Sequence, residues 1–233
     1  MRRSTEPEMM DLPQPRELLM GDLRNLRLIN RYLGSYRNVL CGLARLVNEA
    51  NMRNFTLLDV GTGSGDIPKA ILAWAQSHGI TARVSALDRD PVSVEQAAEQ
   101  TEGYGEISLL RGDAMAPPFG RASFDFVLAS QLLHHFSDDQ IVAALRIWAR
   151  LARRAIIISD LVRHPLAYHG IRLLTKSLTR NPMTRTDAPR SVQRACTMAE
   201  WRDLFRRANV GNVHVEQAMP FRLLGLISLR QAS

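Results

Sequence analysis

The sequence predicts an α/β protein: a seven-stranded, mostly parallel sheet with helices on both faces, a last strand that runs antiparallel, and an N-terminal helical extension. Three observations predict it. From about residue 55 short β-rich runs alternate with helical stretches, the signature of βαβ units. The first of these runs leads directly into three closely spaced glycines and then a helix. The last two runs follow one another with no helix between them, as a hairpin does.

Between Pro15 and Glu49 the apolar residues Leu18, Leu19, Leu23, Leu26, Ile29, Leu33, Tyr36, Leu40, Leu43 and Val47 recur at helical spacing. Gly34 interrupts them, so two amphipathic helices are expected. Five strands are then expected over Phe55 to Val60, Ala82 to Asp88, Glu106 to Leu110, Phe124 to Ala129 and Ala155 to Asp160. Helices fall between them near Ile67 to Ser77, Pro91 to Gln100 and Asp138 to Arg153. Parallel strands joined by such crossovers form right-handed units. Beyond Leu161 the alternation lapses into a basic stretch and then a turn-rich segment, Arg180 to Pro189. Thr197 and Glu200 form a capping box that opens a helix to Ala208. Val213 to Gln217 and Phe221 to Leu229 close the sheet. The expected organisation is a helical cap over residues 1–52 and a main domain over residues 53–233, with a basic lid inserted at about 161–196.

With 233 residues and 45% hydrophobic content the chain can bury a full core. No 18-residue apolar run occurs, and the first residues lead into polar sequence, so neither a spanning helix nor a secretory signal is expected and the location reads as cytoplasmic. Cys41 and Cys196 are far apart, which argues against a cysteine-based zinc site and reads as two small buried residues. No metal is expected. The formal charge of +7 is local: Leu161 to Arg207 holds ten Lys/Arg against three Asp/Glu.

The run Leu57-Leu58-Asp59-Val60-Gly61-Thr62-Gly63-Ser64-Gly65-Asp66 carries the strongest functional signal. Glycines between a strand and a helix let the backbone turn tightly and approach a ligand. A dinucleotide site needs G-x-G-x-x-G, whereas here the spacing is Gly61-x-Gly63-x-Gly65 and the last position of that pattern holds Asp66. Carboxylates at Asp59 and Asp66 would repel a pyrophosphate and suit a cationic ligand.

This segment resembles motif I of the class I, Rossmann-like S-adenosylmethionine-dependent methyltransferases, and the cofactor's ammonium and sulfonium groups fit such acids. The resemblance implies that Asp88, with Arg89 beside it, meets the ribose hydroxyls. It implies that Asp113 reaches the adenine amino group while Ala114 packs on the ring, and that Ser130 and the loop after it border the methionine moiety. The loop acids Asp59 and Asp66, the glycines and Thr62 complete the expected cofactor set. Glu8-Met9-Met10-Asp11, the Leu23 to Leu33 helix and Asn181 to Pro189 are similar to bacterial methyltransferases that accompany type III polyketide synthases and act on phenolic lipids.

Methyl transfer to a hydroxyl needs positioning and a route for its proton. His134 and His135, after the fourth strand, are the candidate general bases. If the stretch after the fifth strand is helical, Asp160, Arg163 and His164 share one face, and Asp160 and His164 are the candidate substrate contacts. The expected partner is a small-molecule acceptor, phenolic or amphiphilic, with a quinone precursor as the alternative. The basic lid admits peripheral contact with a membrane surface. It also admits RNA or DNA, but few aromatics interleave its arginines and no amino-methylating signature follows the fourth strand, so nucleic acid is the weaker reading. A cofactor-binding module without catalysis remains a further alternative, and the oligomeric state is not legible.

Overall fold

The computed structural model describes residues 1–218 and 220–229. Two N-terminal helices, α1 (Arg16–Tyr32) and α2 (Ser35–Glu49), meet at Gly34, which takes the left-handed conformation that ends the first and starts the second. The sheet is built from β1 (Asn54–Val60), β2 (Thr81–Asp88), β3 (Ile107–Arg111), β4 (Phe124–Ser130), β5 (Ala152–Leu161), β6 (Asn212–Ala218) and β7 (Arg222–Ser228). Helices α3 (Asp66–Ser77), α4 (Pro91–Gln100) and α5 (Asp138–Leu151) form the crossovers, and α6 (Pro165–Leu178), α7 (Pro182–Arg194) and α8 (Met198–Ala208) follow β5. Strand order is β3-β2-β1-β4-β5-β7-β6, with β7 antiparallel to both neighbours and the others parallel. This is the sheet expected from the sequence.

The central strands read as unbroken apolar runs because both faces are covered. Leu57, Phe126, Leu128 and Ile157 pack against α2 and α3 on one face. Leu58, Val127, Ile156 and Ile158 pack against α5 and α8 on the other. The chain runs outward from β1 to β2 and β3 and returns to β4 on the other side of β1, so the carboxyl ends of β1 and β4 frame the crevice where open α/β sheets take ligands.

Three local expectations are corrected. The helix after β5 starts only at Pro165, because β5 continues through Leu161 and pairs with β7. Asp160, Arg163 and His164 therefore do not share a helical face. The turn-rich segment is the helix α7: Asn181 Oδ1 accepts the Met183 and Thr184 amides at 2.9 and 3.2 Å, and Pro182 occupies the first turn, where a missing N–H costs nothing. Pro189 is carried inside it. Cys196 is buried as expected, but Cys41 is exposed on α2.

Candidate active site

A cavity of about 510 Å³ opens above the carboxyl ends of β1, β2 and β4, and its wall divides into two chemically distinct halves. The first is the glycine loop and its neighbours. Gly61 N and Thr62 N donate to Leu87 O at 2.8 and 3.0 Å, tying the loop to the end of β2. Gly61 sits at φ +73°, and a Cβ there would strike the Leu132 side chain at 2.9 Å. Gly63, at φ +56°, would meet only Leu23 at 3.9 Å, so its backbone faces the cavity bare. Asp88 Oδ2 accepts the Gly63 amide at 2.8 Å and Oδ1 accepts the Asp90 amide at 3.0 Å, which fixes the carboxylate at the cavity edge.

Every cofactor residue expected from the sequence lies in this half: Asp59, Gly61, Thr62, Gly63, Asp66, Asp88, Arg89, Asp113, Ala114 and Ser130 line the cavity, and Gly65 supplies the turn into α3 behind it. Asp113 folds back to accept the Met115 amide at 2.8 Å, while Trp148 Nε1 donates to Ala114 O at 2.9 Å and anchors that segment to α5. The donor set fits S-adenosylmethionine on the chain's own terms. Asp59 Oδ2, Thr62 Oγ1 and Ser130 Oγ are buried without a hydrogen-bond partner, an arrangement that folded proteins avoid unless a ligand completes it. Burial, with Asp66 and Asp88 nearby, pushes the Asp59 carboxyl up to about 7, so a cationic ligand at the loop would be favoured by all three acids.

The second half is assembled from distant parts of the chain. After β4 a 3₁₀ turn (Leu133–His135) brings both histidines to the cavity. Asp160, fully buried at the end of β5, accepts His134 Nδ1–H at 2.7 Å and also the Leu133 and Leu161 amides at 2.9 and 2.7 Å. Burial works to raise the Asp160 carboxyl, but His134 beside it holds it below the usual range. Asp160 thus acts on His134 from behind and does not line the cavity. His164 stands apart from both halves: it caps α6, its Nδ1 accepting the Leu166 amide at 3.2 Å, and its ring stacks on Phe221 with centroids 4.8 Å apart.

The opposite wall comes from the first dozen residues. Glu8 and Asp11 cap a 3₁₀ turn (Met9–Asp11), and the Met9 and Met10 amides donate to Asp187 of α7 at 2.8 and 3.0 Å. Asp11 Oδ1 accepts His135 Nδ1–H at 2.9 Å. Burial opposes ionisation of Asp11, yet the hydrogen bond and charge of His135 hold its carboxyl well below the usual range. Burial pushes the Glu8 carboxyl up to about 7, against the pull of His135. Arg194, also from α7, donates to Glu6 O, Asp11 Oδ2 and His135 O at 2.9, 2.9 and 2.7 Å and to His134 O at 3.2 Å, stitching strap, histidine turn and α7 together. Glu8, Asp11, Asp187 and Arg194 are functional candidates that reasoning along the sequence did not assign. Their partners lie from 59 to 183 residues away, and of these residues only Glu8, Asp11 and Asp187 fall in segments that the sequence singles out.

Asp22 of α1 also lines the cavity and is buried; its Oδ1 accepts Thr184 Oγ1–H at 2.6 Å while Oδ2 has no partner. Burial pushes its carboxyl from 3.8 up to about 6. A raised carboxyl contributes fully below the unfolded value and loses that contribution as pH rises through the folded one. Asp22→Asn removes the loss. Its melting temperature relative to the parent is expected to climb between pH 4 and pH 7, by the equivalent of about 2–3 kcal/mol; thermal melts across that range showing a constant difference would refute the assignment.

Comparisons with known proteins agree with the geometry. A family described as "Methyltransferase domain" matches residues 57–155, the stretch from the end of β1 into β5. A demethylmenaquinone methyltransferase of Bacillus licheniformis is 35% identical over 83 residues, which cover 36% of this chain and 34% of that protein, so the match spans about a third of the relative's length. One of Roseiflexus sp. is 28% identical over 181 residues, covering 72% of this chain and 71% of its own. Among solved structures, the plantazolicin methyltransferase bound to a triazolic analogue and SAH aligns with TM-score 0.68 at 15% identity, covering 92% and 97% of the two chains. Human N-acetylserotonin methyltransferase in complex with SAM aligns with TM-score 0.66 at 17% identity, covering 99% of this chain and 63% of that one. At these identities the structural likeness speaks for the fold. The glycine loop with its unpaired polar atoms, the sheet order and the matched stretch converge: residues 57–155 match a methyltransferase domain, and the sheet is the one shared with these solved methyltransferases.

Proposed function

We propose that this enzyme methylates a hydroxyl group of a small molecule, phenolic or polyketide-derived, and that the acceptor lies between the glycine loop and the wall formed by the strap and α7. The observation that carries the reading is the histidine pair. Asp160 and Asp11 each take the Nδ1–H of one imidazole, so both Nε2 atoms turn toward the cavity, the side from which an acceptor's proton must leave. Bound S-adenosylmethionine supplies a methyl group on a sulfonium. The chain's contribution is to hold the donor at the loop acids, place the acceptor's oxygen in line with the methyl group and draw off its proton at His134 and His135. Leu19, Leu23 and Leu26 of α1 give the cavity an apolar side, which suits a ring or an acyl chain.

The names of the curated relatives favour a second acceptor class. Both act, by name, on a demethylmenaquinone, so a quinone precursor is the alternative within the same mechanism of positioning. The basic segment after Asp160 supports a nucleic-acid acceptor less well: its α7 part spends Arg185 on the Lys176 and Thr179 carbonyls and Arg194 inside the protein.

Incubation with labelled S-adenosylmethionine and a panel of resorcinols, catechols, alkylpyrones and quinone precursors, followed by mass spectrometry, tests the reading. An O-methylated phenol or pyrone supports it. Methylation confined to RNA or DNA would overturn it. The donor side has its own check. Asp88→Ala should weaken S-adenosylmethionine binding by about 1.5–3 kcal/mol for each charge-assisted bond lost, roughly tenfold or more. Calorimetry returning an unchanged affinity would remove Asp88 from the cofactor set.

A further inference from the structure

We propose that Glu8, His134 and His135 form a binding site for a divalent transition-metal cation at the acceptor end of the cavity. The inference rests on the reading that an acceptor hydroxyl loses its proton at this corner of the cavity, and turns the histidine pair from bases into ligands.

Proton bookkeeping comes first. The ionised carboxylates of Asp160 and Asp11 can only accept, so the Nδ1 atom of each histidine carries the proton, at 2.7 and 2.9 Å. The two Nε2 atoms face away from those carboxylates. They point at the same carboxylate, His134 Nε2 lying 3.7 Å from Glu8 Oε1 and His135 Nε2 4.0 Å from Glu8 Oε2. One ligand atom from each of the three residues falls within 4.8 Å of the others. Two imidazole nitrogens and a buried carboxylate thus converge on one point. Ser191 Oγ–H satisfies Glu8 Oε2 at 2.8 Å, but Glu8 Oε1 is buried with no hydrogen-bond partner at all. Leaving such an atom unpaired is costly, and a cation at the point of convergence satisfies all three.

The surrounding charges ask for the same occupant. Glu8, Asp11, Asp160 and Asp187 bring four carboxylates to this corner. Against them stands Arg194, whose hydrogen bonds go to Asp11 and backbone carbonyls and whose Nε lies 3.8 Å from Glu8 Oε1. Arg89, 3.8 Å from Asp11, is mostly in solvent. The outer contacts also match what metal-binding imidazoles require, since each ring donates its second N–H to a carboxylate that fixes tautomer and orientation. Two histidines and one carboxylate are the ligand set of zinc and of non-haem iron sites that keep a coordination position open.

The open position would take the acceptor's oxygen. Coordination weakens the O–H bond, the proton passes to water, and the oxygen stays on the cation as an alkoxide or phenolate. That oxygen then forms the new bond to the methyl carbon as the carbon–sulfur bond breaks, its electron pair returning to sulfur. The imidazoles assist the proton's departure by holding the cation, a division of labour in which neither has to accept the proton itself.

The test uses the full chain, stripped of metal with a chelator and titrated with zinc by calorimetry, and with cobalt(II) followed by its visible absorption. S-adenosylmethionine binding is measured on every sample. The parent is expected to take up about one zinc ion per chain and to give the visible bands of a low-coordinate cobalt site. Asp11→Asn, which touches no metal, should lower zinc affinity by about 10–100-fold. Glu8→Gln and His135→Gln should each lower it further while S-adenosylmethionine binding stays intact. The inference is overturned if the parent binds S-adenosylmethionine but no stoichiometric zinc, or if zinc binds equally to all three variants. Full turnover of chelated protein with the identified acceptor would overturn it too while leaving the methyltransferase reading standing; failure of the parent to bind S-adenosylmethionine would instead strike the donor site.

Discussion

Asp160→Asn is expected to lower turnover by about 10²–10⁴-fold while leaving S-adenosylmethionine affinity unchanged. The substitution keeps the volume of the side chain and removes its charge. In the parent the carboxylate accepts from His134 Nδ1 and from the Leu133 and Leu161 amides, three donors around one acceptor-only group. An amide has one oxygen and one NH₂, so at least one of those donors must face another donor. If the NH₂ turns to His134, the ring shifts its proton to Nε2, and the lone pair that faces the cavity is lost. If it turns to the backbone, the 3₁₀ turn that carries both histidines is pushed out of place. The fully buried Arg222, which Asp160 balances electrostatically, also loses its counter-charge. Single-turnover kinetics with the acceptor found by the panel, set beside calorimetry of the cofactor, check the split. A variant within about threefold of the parent's turnover would dismiss the role of Asp160.

Arg194→Ala carries the largest expected effect on stability. Its guanidinium is nearly buried, at 8% exposure, and joins three segments that share no other covalent or sheet connection at this corner: the strap, the histidine turn and α7. Removing it leaves Asp11 and Glu8 without their internal counter-charge and two histidine carbonyls without a donor. Breaking a buried pair from one side costs about 3–5 kcal/mol, which for a domain of this size is roughly 6–20 °C in melting temperature. The loss should be local in character. Limited proteolysis is expected to release the first dozen residues from the variant under conditions where the parent resists, and equal resistance in the two proteins would count against the arrangement.

The sheet and the glycine-loop half of the cavity were legible because their determinants are local. A strand, three glycines at fixed spacing, and acids at the ends of the next two strands lie within Leu57 to Asp113, and each sits at a carboxyl end that the alternation of elements already places. The acceptor half was legible only as His134 and His135. Glu8 meets them across about 126 residues, Arg194 across about 60, and no periodicity encodes a contact between a 3₁₀ turn and a strap that has almost no regular structure. The segment around Pro189 was misread for a different reason. Proline, asparagine and threonine mark turns when counted, yet Asn181 and Pro182 in that order are also the opening of a helix, and packing against α1 and α6 settled the matter.

The two halves of the cavity are written in different parts of the gene. One lies within a single contiguous stretch, from β1 to the end of β4, while the other joins the histidine turn after β4 to residues near position 10 and to α7. On the proposed reading, changes that retune what is methylated would accumulate in two short, peripheral segments without disturbing the handling of the methyl donor. A lineage carrying this sheet is free to explore new acceptors by exchanging its first dozen residues together with α7, as a tool keeps its handle and changes its bit.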